Sequence, residues 1–112
     1  MSEKPLTLRT RARRDVDDAV GFYLLEAGDR VAEGFVDDLQ RVLDRIAERP
    51  ASGSPRPGVE LSLPDLRSMR LRDHPHLVFY LEREDHIDVW RILHGPRDIP
   101  ANLSNDDETG RA

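Results

Sequence analysis

The stretch Ile87-Asp88-Val89-Trp90-Arg91-Ile92-Leu93 decides how this chain folds, because it offers apolar side chains to both sides of a strand. Side chains alternate between the two faces of a strand. Strict alternation divides this stretch into two sets: Ile87, Val89, Arg91 and Leu93 on one face, and Trp90 and Ile92 on the other. The preceding apolar run divides in the same way, with Val78 and Tyr80 grouped with Trp90. Both faces of the sheet must therefore be covered.

The remaining apolar residues predict an α+β fold. Residues 6–10 read as a short strand, and spacings of three and four predict helices over residues 12–27 and 29–48, with Thr10 and Asp29 as N-caps and Gly28 as the stop between them. Residues 50–58 consist of turn formers and predict an exposed crossing loop. Three strands follow, at 66–71, 77–81 and 87–93, with connections short enough for an antiparallel meander. We expect one mainly antiparallel sheet with the helix hairpin on one face.

Composition restricts the class of protein. The 112 residues fit one domain, which we place at residues 1–103, followed by an acidic, disordered tail at residues 104–112. The chain has no cysteine and no apolar run near the roughly 20 residues that span a bilayer, so we expect a cytoplasmic protein without a membrane partner. The formal net charge of -5 argues against a generic nucleic-acid binder. Charge is uneven, since residues 15–48 hold ten acidic against three basic residues.

Arg91 and His94 are the first candidates for chemistry. An arginine on an apolar strand face needs a carboxylate or carbonyl partner, and a structural ion pair with a helix acid competes with a functional role. His94 follows the last strand directly, where it could act as an acid or base or simply bond the adjoining turn. His74 and His76 are separated by Pro75 and lack an evident third ligand, so we expect no metal site.

A second set of candidates concerns binding. Arg67, Arg70, Arg72 and Arg97 could form a small anion-binding patch or could simply be solvated. Trp90 is the only tryptophan, and it reads either as a core residue beneath the long loop or as an anchor for a partner chain.

The chain resembles the ParE toxins of bacterial toxin–antitoxin pairs, within the larger ParE/RelE superfamily, over roughly residues 6–103. The helix pair carries part of the likeness, with Tyr23, Gly28, Ala32, Phe35, Ile46 and Pro50. Leu66-Arg67 and Leu77-Val78-Phe79-Tyr80 match the family's second and third strands. The most specific part is the closing strand, which continues from Leu93 into His94-Gly95-Pro96-Arg97-Asp98 and is similar to the family's His-Gly-x-Arg-Asp ending.

This resemblance implies a toxin that inhibits DNA gyrase and needs no cofactor. It also implies a ParD-like antitoxin that wraps the toxin and alone carries the contact with operator DNA. We expect toxicity to depend on four residues of the closing motif: Arg91, His94, Arg97 and Asp98. We expect the antitoxin to bind the face that the helices leave uncovered, through six residues: Val78, Tyr80, Trp90, Ile92, Arg70 and Arg72.

Two alternatives stay open. One is a RelE-like ribonuclease that cleaves messenger RNA on the ribosome, with Arg67, Arg91, His94 and Arg97 as its catalytic candidates. Such relatives typically use lysine, arginine and tyrosine or histidine around the sheet, whereas Lys4 is the only lysine here and no tyrosine follows Tyr80. The other alternative is an interaction module without toxicity.

Overall fold

The computed structural model describes residues 4–95, which form an α+β fold. The helices are α1 (Thr10–Ala27), α2 (Asp29–Glu48) and α3 (Arg56–Glu60), with a 3₁₀ turn at Pro50–Ser52. The strands are β1 (Leu6–Leu8), β2 (Arg67–Arg70), β3 (His76–Glu82) and β4 (Ile87–His94). The predicted order of strand, helix hairpin and three-stranded meander is confirmed. The domain boundary at residue 103 and the tail 104–112 lie outside the described residues.

The four strands form one sheet in the order β1-β4-β3-β2. β4 is antiparallel to β3 and parallel to β1, so the first strand of the chain pairs with the last one. The parallel pair covers only Leu6 to Leu8 against Ile87 to Val89. Beyond Val89, therefore, one edge of β4 has no neighbouring strand among residues 4–95.

The helix boundaries follow the predicted stop at Gly28 but not the predicted caps. Gly28 adopts φ 93°, a left-handed conformation that favours glycine, and it forms the junction between α1 and α2. Thr10 is already the first helical residue of α1. Arg9 occupies the N-cap position, but its side chain makes no capping hydrogen bond to the helix. Asp29 likewise begins α2 as its first residue. The expectation that Thr10 and Asp29 act as N-caps was wrong, because each of them is the first residue of its helix and the N-cap is the residue before it.

A β-bulge in β4 overturns the predicted assignment of faces. Tyr80 pairs with Val89 and Phe79 pairs with Arg91, so Trp90 is an extra residue without a partner in β3. The extra residue reverses the alternation beyond it. The helix-side core then contains these residues of β3 and β4: Val78, Tyr80, Ile87, Val89 and Ile92. Trp90 instead joins the cluster on the other face of the sheet, together with Leu66, Phe79 and Leu93.

The second face of the sheet is covered by the chain itself. The segment after α2 returns over this face, where Leu61 and Leu63 pack against Trp90 and its neighbours. Residues 50–58 are consequently not a fully exposed loop, since Gly53 and Gly58 are buried. Trp90 is only 3% exposed and Ile92 only 2%. The expectation that these two residues stay uncovered without a partner chain was therefore wrong.

Tyr80 ties this covering segment to the sheet. Its hydroxyl donates a hydrogen bond to the carbonyl of Pro50 at 2.7 Å and accepts one from the N–H of Gly53 at 2.9 Å. A Cβ at Gly53 would collide with the Tyr80 ring and lie 2.8 Å from the carbonyl oxygen of Ser68. The close approach of the loop to the sheet therefore requires glycine at this position.

Tyr80→Phe removes both hydrogen bonds and leaves two buried backbone groups without partners, so we expect the free energy of unfolding to fall by about 1–3 kcal/mol. The matched control is Tyr23→Phe, because the Tyr23 hydroxyl has no hydrogen bond to residues 4–95. Its expected effect is below about 0.5 kcal/mol. Urea unfolding measures both variants, and equal losses would contradict the role assigned to Tyr80.

Candidate functional site

A cleft of about 400 Å³ lies between α1 and the unpaired edge of β4. It combines aromatic side chains with charged and titratable ones, which is typical of a binding site. The polar residues of its lining are Asp15 and Asp18 from α1, His76 from β3, and Arg91 and His94 from β4. Phe22 of α1 also lines the cleft, and its side chain is 58% exposed.

Arg91 forms a bidentate ion pair with Asp15 across this cleft. Its Nε donates to Asp15 Oδ2 at 2.8 Å and its Nη2 donates to Asp15 Oδ1 at 2.9 Å. Both side chains are largely shielded, with exposures of 6% for Arg91 and 11% for Asp15. Asp15 Oδ2 also accepts the backbone N–H of Ile92 at 2.9 Å. One carboxylate thus neutralises the arginine and takes the place of a neighbouring strand at this edge.

His94 lies at the end of β4 in contact with a second histidine. The rings of His94 and His76 meet edge to face, with centroids 5.2 Å apart. His76 packs in turn against Phe35 at 4.9 Å and Tyr23 at 6.2 Å, so an aromatic cluster supports the floor of the cleft. Nδ1 of His94 is buried and has no hydrogen-bond partner among residues 4–95.

A second buried carboxylate, Asp88, organises the neighbouring part of β4. Arg9 donates to both of its oxygens at 3.0 Å, and Arg83 donates to Oδ2 at 2.9 Å. The Arg9 guanidinium also lies 4.3 Å from the centroid of the Trp90 ring, a cation–π contact that helps to cover this side chain. Burial would raise the pKa of Asp88, but the hydrogen bonds and charges of Arg9 and Arg83 outweigh it and hold the pKa below its usual range.

Neither a membrane span nor a metal cluster occurs in the described part of the chain. No helix within residues 4–95 is both long enough and apolar enough to cross a bilayer. The same residues contain no group of three or more His, Cys, Asp and Glu side chains arranged to hold a metal ion.

Comparison with known proteins identifies the family. The model of the ParE toxin family, described as the ParE toxin of the type II toxin–antitoxin system parDE, matches residues 6–99. The chain belongs to the ParE toxin family. It is 28% identical over 100 residues to Toxin ParE1 of Caulobacter vibrioides, covering 89% of this chain and 98% of the relative. The fold matches a solved chain titled "Chromosomal ParDE TA system from P. aeruginosa", with a TM-score of 0.70, 20% identity, and coverage of 83% and 97% of the two chains.

Two of the four residues expected to carry toxicity in this ParE-type toxin line the same cleft. These are Arg91 and His94, whereas Arg97 and Asp98 lie outside the described residues. Arg91 forms a structural ion pair with a helix acid, which was the alternative to a functional role for this residue. Arg67, a candidate for the ribonuclease alternative, does not line the cleft. Its guanidinium donates to the carbonyls of Ala51 at 3.2 Å and Gly53 at 2.8 Å.

The residues expected to bind the antitoxin do not share one face of the toxin. Four of them are buried within the monomer, namely Val78, Tyr80, Trp90 and Ile92. Val78, Tyr80 and Ile92 belong to the helix-side core, whereas Trp90 belongs to the cluster on the opposite face. The expectation that all four lie on one uncovered face was therefore wrong. Arg70 and Arg72 are exposed and accessible to a partner.

Sequence reasoning missed Asp15 as the partner of Arg91. Asp15, Asp17 and Asp18 are equivalent in the sequence, because all three follow the start of α1 within one acidic run. Only the position of α1 along the edge of β4 selects Asp15. The one available signal was the difference in length between β4 and its short parallel neighbour β1. The N–H groups of β4 that extend beyond β1 require acceptors from elsewhere.

Asp15→Ala removes the bidentate carboxylate partner of the buried Arg91 guanidinium and the acceptor of the Ile92 N–H, so we expect a loss of about 3 kcal/mol in the free energy of unfolding. Asp18→Ala is the matched control, because Asp18 lines the same cleft but forms no ion pair with a described residue. Its expected effect is below about 0.5 kcal/mol. Similar losses in thermal or urea unfolding would exclude a special role for Asp15.

Asp88 makes the stability of the toxin sensitive to acid. Its pKa is lower in the folded than in the unfolded chain, so its contribution is complete above the ordinary aspartate pKa of about 4 and is lost as pH falls through the folded-state pKa. Unfolding followed through Trp90 fluorescence should therefore show stability falling between about pH 5 and pH 2. Asp88→Asn should flatten this dependence, whereas Asp17→Asn, an exposed carboxylate, should not. An unchanged pH profile in Asp88→Asn would contradict this assignment.

Proposed function

We propose that this ParE-type toxin inhibits DNA gyrase and is neutralised by direct contact with a ParD-like antitoxin. The family match over residues 6–99 carries the proposal. The structural neighbour supports it through its title, which names a chromosomal ParDE system. Action on gyrase requires the cytoplasm, and contact with operator DNA is made through the antitoxin. The proposed activity needs no cofactor, because the toxin acts by binding.

The geometry favours inhibition by binding over catalysis of RNA cleavage. General acid–base catalysis requires several groups within hydrogen-bond reach of one reacting centre. Among the four ribonuclease candidates, Arg67 is held by two backbone carbonyls away from the cleft, and the charge of Arg91 is neutralised by Asp15. Among the described members of that set, only His94 forms neither a side-chain hydrogen bond nor an ion pair within residues 4–95.

We propose that the cleft and the closing motif together contact the target. Arg91 acts here as a positioning residue, because its ion pair fixes the end of β4 against α1. His94 contributes an imidazole ring to the lining of the cleft, and the exposed Phe22 ring contributes apolar area. Arg97 and Asp98 stay proposed contacts on the grounds of the sequence motif, because both lie outside the described residues.

The antitoxin contact is proposed on exposed surface and not on the sheet core. Burial removes the reason for assigning antitoxin contacts to the four apolar residues of β3 and β4. Arg70 and Arg72 remain as proposed contacts, since both are exposed and lie beside the part of the acid-rich helix hairpin that carries Arg41 and Arg45. An acidic antitoxin would be repelled by most of that hairpin.

Expression of the chain alone in bacteria tests the proposed activity. We expect arrested division with an induced DNA-damage response, and inhibition of gyrase supercoiling by the purified protein. Co-expression of a ParD-like antitoxin should restore growth. Arrested translation with cleaved messages would support the ribonuclease instead, and unaffected growth would support the interaction module without toxicity.

His94→Ala tests the proposed target surface. We expect reduced inhibition of gyrase with an unchanged melting temperature, because His94 lies at the end of β4 and only part of its side chain is buried. The matched control is His86→Ala in the β3–β4 turn, whose side chain pairs with the exposed Asp85 at 2.7 Å. Equal inhibition by wild type and His94→Ala would exclude His94 from the contact.

A further inference from the structure

Four arginine side chains surround a pocket of about 300 Å³ between α2 and the outer edge of β2. Arg41 and Arg45 come from α2, Arg70 from β2, and Arg72 from the turn that follows it. All four side chains are exposed, and Met69 contributes an apolar wall. The pocket is separate from the cleft beside β4, because the two share no lining residue.

The spacing along α2 places two of these arginines on one side of the helix. Asp38, Arg41 and Arg45 are three and four residues apart, so their side chains lie one above another. Residues 15–48 contain only three basic residues, and two of them line this pocket. The few positive charges of an acid-rich hairpin are thus concentrated beside β2.

Asp38 fixes the other half of the pocket. Its carboxylate is 1% exposed and accepts the N–H groups of Arg72 at 3.1 Å and Asp73 at 2.8 Å, and it contacts His74 Nδ1 at 2.7 Å. Burial would raise the pKa of Asp38, but these hydrogen bonds hold it below the usual range. The carboxylate therefore holds the β2–β3 turn against α2 and keeps Arg72 close to Arg41.

The pocket carries a surplus of positive charge. Its lining contains four arginines and one carboxylate, which leaves a formal charge of +3 in a chain of net charge -5. Arg41 approaches Asp38 at 3.6 Å. Within residues 4–95, neither Arg45, Arg70 nor Arg72 forms an ion pair. Three exposed arginines without an ion-pair partner, beside a fourth that approaches only Asp38, are suited to an anionic ligand from outside the chain.

We infer that this pocket binds an acidic segment of a partner protein through that segment's carboxylate side chains. Guanidinium groups bind carboxylates in bidentate geometry, and the pocket is large enough for a few such side chains. Nucleic acid fits less well, because a duplex presents a charge about every 1.7 Å and would also meet the exposed carboxylates of the same helix. These carboxylates are Asp37, Asp44 and Glu48.

The inference deepens the proposed function, on which it rests for the identity of the partner. The acidic segment would belong to the neutralising antitoxin, and the contact would extend from Arg70 and Arg72 to the two arginines of α2. Opposite charges would speed association and fix the orientation of the partner on the toxin.

Titration of a short fluorescent peptide rich in Asp and Glu against the whole chain tests the pocket directly. We expect Arg41→Gln combined with Arg45→Gln to weaken binding by about tenfold, because the peptide loses two charge pairs with the pocket. The matched control removes the same charge elsewhere, by combining Arg14→Gln with Arg30→Gln, and should change affinity less than about twofold. Added salt should weaken binding of the wild type.

Three outcomes would overturn the inference. The first is equal weakening in the pocket variant and the control, which would indicate attraction by net charge alone. The second is absence of peptide binding by the wild type. The third is tighter binding of a short DNA duplex with the same dependence on Arg41 and Arg45, which would assign the pocket to nucleic acid.

Measurement with a co-expressed ParD-like antitoxin separates this inference from the proposed function. If wild type and pocket variant are neutralised equally and form complexes of equal affinity, the pocket assignment fails while the proposed function stands. If the wild type is not toxic or not neutralised, the proposed function fails, and the peptide titration still decides what the pocket binds.

Discussion

The single extra residue in β4 is the constraint on which the rest of the structure depends. Because Trp90 has no partner in β3, the strand keeps Val89 and Ile92 on the helix side and turns Trp90 and Leu93 to the other. A regular strand would place Leu93 among the helix contacts and Ile92 on the opposite face. The bulge therefore decides which side chains join each of the two apolar clusters, and the segment after α2 returns over the sheet to cover the second one.

Three carboxylates connect the helices and turns to this sheet. Asp15 joins α1 to the unpaired edge of β4, Asp38 joins α2 to the β2–β3 turn, and Asp88 holds Arg9 over Trp90. Each accepts several hydrogen bonds, which offsets the cost of removing a charge from water. The negative charges of these three carboxylates are paired with hydrogen-bond donors inside the fold. The arginines beside β2 are exposed, so their positive charges are accessible to a partner.

This division of charge suits a protein that acts by binding. The cleft beside β4 and the arginine pocket beside β2 are separate surfaces, so target and antitoxin could be recognised through different residues. Membership of the ParE toxin family and the geometry of the described residues therefore support the same proposal.

The sequence by itself determined the order of the strands and of the helix hairpin around Gly28, and the family, because these depend on local periodicity and on short motifs near His94. It did not predict α3, which lies where turn formers indicated a loop. It also indicated that both sheet faces need cover and that Arg91 needs an acid. Only the tertiary structure decided which acid and which cover. A bulge depends on pairing between strands, and the choice of Asp15 depends on how α1 lies along β4, so neither is encoded in residue spacing alone.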